Sequence, residues 1–194
     1  MKTTKDKLLD LGEWLIQQHG YAGFSYYQMA ETLGIKHAAI HYHFKKKEDL
    51  GKAIIQRIIT RAQREFDQWD QLDDWAKLQA FLTIYRRVDD CKRICFVGAL
   101  SGGFVDLPPS LQTDLQELIE HLWNWLAQAL ELGRSNGSFA FQGAARTRAM
   151  LITTNMMAGL QVARVMGKAQ FDTIYQAVLD DLRPPTNTLK QITE

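Results

Sequence analysis

SYYQMAETLGIKHAAIHYHFKKK, residues Ser25–Lys47, is the stretch on which the reading of this chain turns. Tyr26, Met29, Ala30 and Leu33 recur at helical spacing and share one face, and Ser25 stands where an N-cap hydroxyl belongs. Ala30 is small enough for two helices to meet closely. Gly34 follows where the chain must turn, and glycine takes turn conformations that a residue with a Cβ resists. Beyond it a second short helix carries His37, His41, Tyr42 and His43 around the apolar Ile40 and Phe44. This is the layout of a helix-turn-helix, whose second helix enters the DNA major groove. Two packed helices with a charged end would share the same spacing, so the motif alone has modest specificity.

Three neighbouring features add to it. Four aromatic donors, His37, His41, Tyr42 and His43, crowd within seven residues of a chain that has five histidines in all. Imidazole and phenol groups hydrogen-bond phosphates and base edges. Lys45, Lys46 and Lys47 then open the next helix, where the helix dipole disfavours cations. No Ser, Thr, Asp or Asn precedes that helix to cap it. A docked phosphate would supply both an acceptor and negative charge there. Glu48 and Asp49 give ordinary first-turn compensation and mark the helix start. His37 and His41 also have a zinc-compatible i, i+4 spacing, but no cysteine or carboxylate stands close to complete a site, so neither metal nor cofactor is expected.

Composition agrees. The 194 residues are 46% hydrophobic, enough for a sizeable core. The net charge of +1 hides an asymmetry: residues 1–64 hold 11 Lys/Arg against 6 Asp/Glu, and residues 65–194 hold 12 against 16. The basic end coincides with the motif, as a polyanionic partner favours. No apolar run reaches the ~18–20 residues of a membrane span, and the start lacks the pattern of a signal peptide. The two cysteines suggest a reducing cytoplasm rather than a disulfide framework.

Helical periodicity continues nearly throughout, without a convincing strand. Leu8, Leu11 and Leu15 share a face. A long helix is predicted from Lys47 to about Trp69, with Leu50, Ile54, Ile58 and Ala62 on one side. Another begins at Asp74 as its cap. A glycine-containing irregular segment spans residues 91–104. Pro109 or Ser110 starts a long helix to about Gly133, and two more fit residues 144–167 and 171–182. The expectation is an all-α fold of about nine helices. Residues 1–50 would form the helix-turn-helix domain, residues 51–185 a helical effector-binding and dimerisation domain, and residues 186–194 a frayed tail.

The segment GYAGFSYYQMAETLGIKHAAIHYHFKKKEDL resembles the signature of the TetR family of bacterial transcriptional regulators. Gly20-Tyr21, Ser25, Ala30, Gly34-Ile35, Tyr42-His43-Phe44 and Lys47-Glu48-Asp49-Leu50 carry the resemblance, which covers roughly the first 55–60 residues. It implies a homodimer paired through the last two long helices, binding double-stranded operator DNA, with a small-molecule pocket in the body and repression that an effector relieves. By position it implies DNA contact for Ser25, Tyr26, Lys36, His37, Ala39, His41, Tyr42, His43, Lys46 and Lys47. Either His41 or Tyr42 makes the main phosphate contact. Lys36 and Ala38-Ala39 depart from the family's usual residues, so the operator sequence does not follow.

In the body, aromatic residues at helical spacing serve a core or line a cavity. Candidate lining residues are Phe66, Trp69, Phe81, Tyr85, Cys95, Leu100, Phe104 and Trp123, around an effector of neutral or weakly polar character. Cys91 and Cys95, if helical, have Cβ atoms about 5–6 Å apart, too far for an unstrained bridge at ~3.5–4.5 Å. Arg86, Arg87, Lys92 and Arg93 could lower a thiol pKa. The stretch ICFVGALSGG is similar to one in an electrophile-responsive subgroup of the family. A small buried hydrophobe is the plainer role for Cys95. Met150, Met156, Met157, Leu160 and Val165, with small Thr153, Thr154, Ala158 and Gly159, suit a dimer face. The expected function is a ligand-responsive DNA-binding regulator and not an enzyme. The alternatives are an architectural DNA-binding protein and, further off, a thiol-based sensor.

Overall fold

The computed structural model describes residues 2–90 and 93–185. Cys91, Lys92 and the predicted tail lie outside the described residues. Within them the fold is all-α: α1 (Thr4–His19), α2 (Tyr26–Leu33), α3 (His37–His43), α4 (Lys47–Trp69), α5 (Asp74–Asp90), α6 (Phe96–Ser101), α7 (Pro109–Ser135), α8 (Ala145–Met166) and α9 (Lys168–Asp180), with a 3-10 turn at Phe104–Asp106. By packing, the chain forms two compact units. One combines residues 1–68 with 86–122, and the other combines residues 69–85 with 123–194.

In the first unit each end of α1 is set by its own sequence. Thr3 and Asp6 form a reciprocal capping box, and Gly20 ends the helix at φ 74°. Gly34 closes α2 in the left-handed conformation, φ 62° and ψ 35°. A Cβ added there would meet nothing within 4 Å, so the requirement for glycine is conformational rather than steric. The Ile35 N–H then donates to the Ala30 carbonyl at 3.0 Å, which fixes the turn before α3. Leu8, Leu15, Ile16, Met29, Ile40, Phe44, Leu50 and Ile54 join one buried cluster that continues through Phe96, Leu100, Leu111 and Leu118. Leu100, predicted to line a pocket, is thus part of this core, 2% exposed.

Gly51 permits a close approach on α4. A Cβ there would lie 2.9 Å from a Leu111 methyl of α7 and 3.3 Å from the Tyr21 ring. Beside it the Ser110 hydroxyl donates to the Glu48 carboxylate. On the other side of α4, Arg57 donates to Asp10 and Glu13 of α1, both at 2.7 Å, and Arg61 reaches Glu13 at 2.8 Å. The irregular segment before α7 contains a short helix: the Cys95 Sγ caps α6 by accepting from the Gly98 N–H at 3.2 Å, and α6 packs on α1.

In the second unit α8 and α9 lie side by side, with Gly159 against Phe171 and Ile174. Phe81 stacks on Trp125 at 5.8 Å, and Trp69 meets the same indole edge-on at 5.5 Å. The Trp123 Nε1–H donates to Thr153 Oγ1 at 2.8 Å. Two boundaries differ from the sequence reading. Asp73, not Asp74, caps α5, its carboxylate accepting from the Ala76 N–H at 2.8 Å. And α9 starts at Lys168, because Gly167 at φ 101° suffices to break α8 from α9.

Candidate DNA-binding face

α2 and α3 meet through a small set of contacts that decides which side chains remain outside. The periodicity that turns Tyr26, Met29 and Ala30 inward turns Tyr27 outward: Tyr26 is 8% exposed and Tyr27 74%. Tyr26 donates its hydroxyl to the Lys46 carbonyl at 2.6 Å, tying α2 to the start of α4. Burial, with the Asp49 charge, raises the Tyr26 pKa far above the phenol range. Ser25 caps α2, its Oγ accepting from the Gln28 N–H at 3.3 Å, and the residue stays exposed.

On α3, Lys36, His37, His41 and Tyr42 are exposed, Ala39 and His43 partly so, and Tyr42 reaches 86%. The His37 and His41 rings stand 4.7 Å apart, one helical turn from each other, and the edge of Tyr26 meets His41 at 5.2 Å. The His41 Nδ1–H donates to the Lys45 carbonyl at 3.1 Å, which leaves Nε2 for an outside partner. Tyr42 makes no such bond among the described residues, and its hydroxyl is open to a phosphate. His41 and Tyr42 therefore differ in kind, one ring held by a hydrogen bond and the other not.

The lysine run splits. Lys45 and Lys46 are exposed. Lys47 turns inward: its Nζ donates to the Phe24 carbonyl at 2.6 Å and lies 4.1 Å from the Phe24 ring centroid and 4.8 Å from that of Tyr21. Burial lowers its pKa. The same burial, with the Glu48 and Asp49 charges, pushes the Tyr21 phenol up to about 12. The acceptor that the sequence lacks before α4 comes from within the helix: the Lys46 N–H donates to Asp49 Oδ2 at 2.8 Å. Ser25, Lys36, His37, His41, Tyr42 and Lys46 thus share an exposed, cation-bearing surface, whereas Tyr26 and Lys47 hold its framework. Tyr27, next to Tyr26 on α2, is exposed as well and escaped the sequence reading, although the inward stripe of α2 already implied that it points outward.

The predicted pocket residues fall on both units: Phe66, Cys95, Leu100 and Phe104 on the first, Trp69, Phe81, Tyr85 and Trp123 on the second. Cys95 is 7% exposed. Burial pushes its thiol up, against weaker opposition from the Gly98 and Val97 N–H groups. Arg93, expected as a cation beside it, instead donates to Gln17 Oε1 of α1 at 2.8 Å. Among the described residues no group of three or more metal-ligating side chains occurs, and no helix is long and apolar enough to cross a membrane.

Residues 8–54, which build this face and its support, match the model of the bacterial regulatory proteins of the tetR family. The chain is 24% identical over 148 residues to the HTH-type transcriptional repressor NemR of Escherichia coli (strain K12), covering 72% of this chain and 73% of that one. Its fold is similar to that of a TetR transcriptional regulator from Legionella pneumophila (TM-score 0.85, 26% identity, 94% of this chain and 99% of the other). It is also similar to that of a TetR-family regulator from Agrobacterium tumefaciens (TM-score 0.86, 25% identity, 93% and 97%). The helix-turn-helix built as described thus matches the bacterial tetR-family model over residues 8–54, and the all-α architecture is similar to that of TetR-family regulators along nearly the whole chain.

Proposed function

We propose that this protein is a dimeric repressor that a small-molecule effector releases from its operator. The observation that carries the reading is the exposed face of α2 and α3, where Tyr27, Lys36, His37, His41 and Tyr42 stand clear of the core beside Lys45 and Lys46. Imidazole, phenol and ammonium groups on such a helix suit base-edge and phosphate contact. The repressor NemR, similar to this chain along most of its length, supports the sign of regulation.

The support for release lies in α4. Its start is bonded to α2 through Tyr26 and to the preceding loop through Lys47, and its middle is bonded to α1 through Arg57 and Arg61. Any shift of α4 therefore carries the reading helix with it. In a dimer paired through α8 and α9, that shift changes the spacing of two reading helices, and half-site spacing is a geometric condition for binding. Operator selection from genomic fragments, followed by titration with compounds that bind the chain, tests this. Sequence-selective binding weakened by such a compound is the expected result. Binding without sequence preference would favour the architectural alternative, and undiminished binding at saturating compound would sink effector release.

A further inference from the structure

His121 is the only histidine after residue 43. It lies on α7 with its ring 5.3 Å from that of Phe66 on α4, the two planes 30° apart. Its Nε2 is buried and meets no hydrogen-bond partner among the described residues. Its neighbours include apolar ones: Phe66 is 1% exposed, as is Leu118 one turn back on α7. Asp114, two turns back on the same helix, also has a buried carboxylate oxygen without a partner among the described residues. A core has no use for such an atom, since an aromatic carbon would fill the same place without the desolvation cost. A ligand site does. Apolar walls with one well-placed polar group are what small-molecule sites offer.

We propose that His121 Nε2 is the polar anchor of the effector site. The effector is then an uncharged, largely apolar small molecule with one hydrogen-bonding group, its carbonyl or hydroxyl on Nε2. The inference rests on the effector-release reading above and adds to it the anchor and the ligand class. The imidazole serves either chemistry, donating to a carbonyl in one tautomer and accepting from a hydroxyl in the other. Neutrality follows from the charges: burial lowers the His121 pKa, so the ring carries no charge for an anion, and the charged group that acts on it is the acidic Glu117.

The test measures binding of acetophenone, phenol, ethylbenzene and benzoate to the full chain by calorimetry, for the wild type, His121→Phe and His121→Gln. Acetophenone or phenol is expected to bind about tenfold more tightly than ethylbenzene, the yield of one hydrogen bond to a desolvated partner. Benzoate should bind least. His121→Phe should abolish the difference while leaving ethylbenzene binding in place. His121→Gln, which keeps a polar group, should retain part of it and guards against a Phe variant that fails to fold. Long-range proton–nitrogen spectra give a second readout, since acetophenone should move the His121 Nε2 resonance. Affinity for both acetophenone and phenol no greater than for ethylbenzene, a difference that survives His121→Phe, or no binding of any of the four overturns the proposal. Operator binding without probe is measured in the same proteins. If the wild type selects no operator, the regulator reading falls; if it selects one while the probe pattern is absent, only the anchor falls.

Discussion

Adjacent tyrosines on α2 do opposite work. Tyr26 is a framework residue and Tyr27 a surface residue, and substitution should separate them. Tyr26→Phe removes the bond to the Lys46 carbonyl and should cost about 1 kcal/mol, a fall in Tm of roughly 2–4 °C by calorimetry. Tyr27→Ala should leave Tm in place and weaken operator binding about tenfold, the loss of one good contact. The lysines divide in the same way. Lys45→Ala and Lys46→Ala should each lower the slope of log affinity against log salt by about 0.9. Lys47→Met, which removes an ammonium lodged between two rings and a carbonyl, should act on thermal stability first. Equal salt slopes for all three variants would contradict this division.

At the scale of elements, the junction of α1 with α4 is a charged contact. Glu13, 12% exposed in its side chain, receives both Arg57 and Arg61. The Arg57 Nε is buried without a partner among the described residues, so the guanidinium depends on these carboxylates. Glu13→Ala should destabilise by about 2 kcal/mol, less than for a fully buried pair because Arg57 and Arg61 keep contact with water. Acid should act at the same place. Burial works against the Asp10 carboxylate, yet the hydrogen bonds and charges of Lys2 and Arg57 outweigh it and hold the pKa below the ordinary range. A depressed folded pKa means stability that is present above the unfolded value, about 4, and lost as pH falls through the folded one. A pH series of denaturant melts should show this loss in the wild type and a smaller one in Asp10→Asn. These pairings were not legible in the sequence. Asp10 and Arg57 are 47 residues apart, and periodicity places each on its helix without naming its partner.

At the scale of the molecule, α8 carries exposed apolar side chains: Leu151 at 51%, Val165 at 84% and Met166 at 67%. Beside them, α8 and α9 line a cavity of ≈ 430 Å³ that includes Leu151, Ile152, Ile174 and Val178. A surface of this kind suits a second copy of the chain, and the proposed pairing of two reading helices requires one. Leu151→Arg should shift the sedimentation mass to that of a monomer. It should also reduce operator affinity by more than tenfold, since one half-site contact replaces two. Retention of dimer mass in that variant would move the interface elsewhere.

By itself the sequence determined the helices and the reading motif, because both are local. Helical spacing, the capping residues Thr3 and Ser25, the left-handed Gly34 and the prolines before α7 act over a few residues, and each is visible without knowing what it packs against. Tertiary structure decided which polar side chains were spent on the framework. Tyr26 and Lys47 looked available, but the Lys46 and Phe24 carbonyls lie 20 and 23 residues away in sequence and within hydrogen-bond reach in space. Cys95 became a helix cap, and His121 acquired a buried nitrogen beside an aromatic ring 55 residues upstream. The physical reason is one of range. Backbone propensity and capping are settled by neighbours along the chain, whereas burial and the pairing of polar groups are settled by whatever the fold brings alongside.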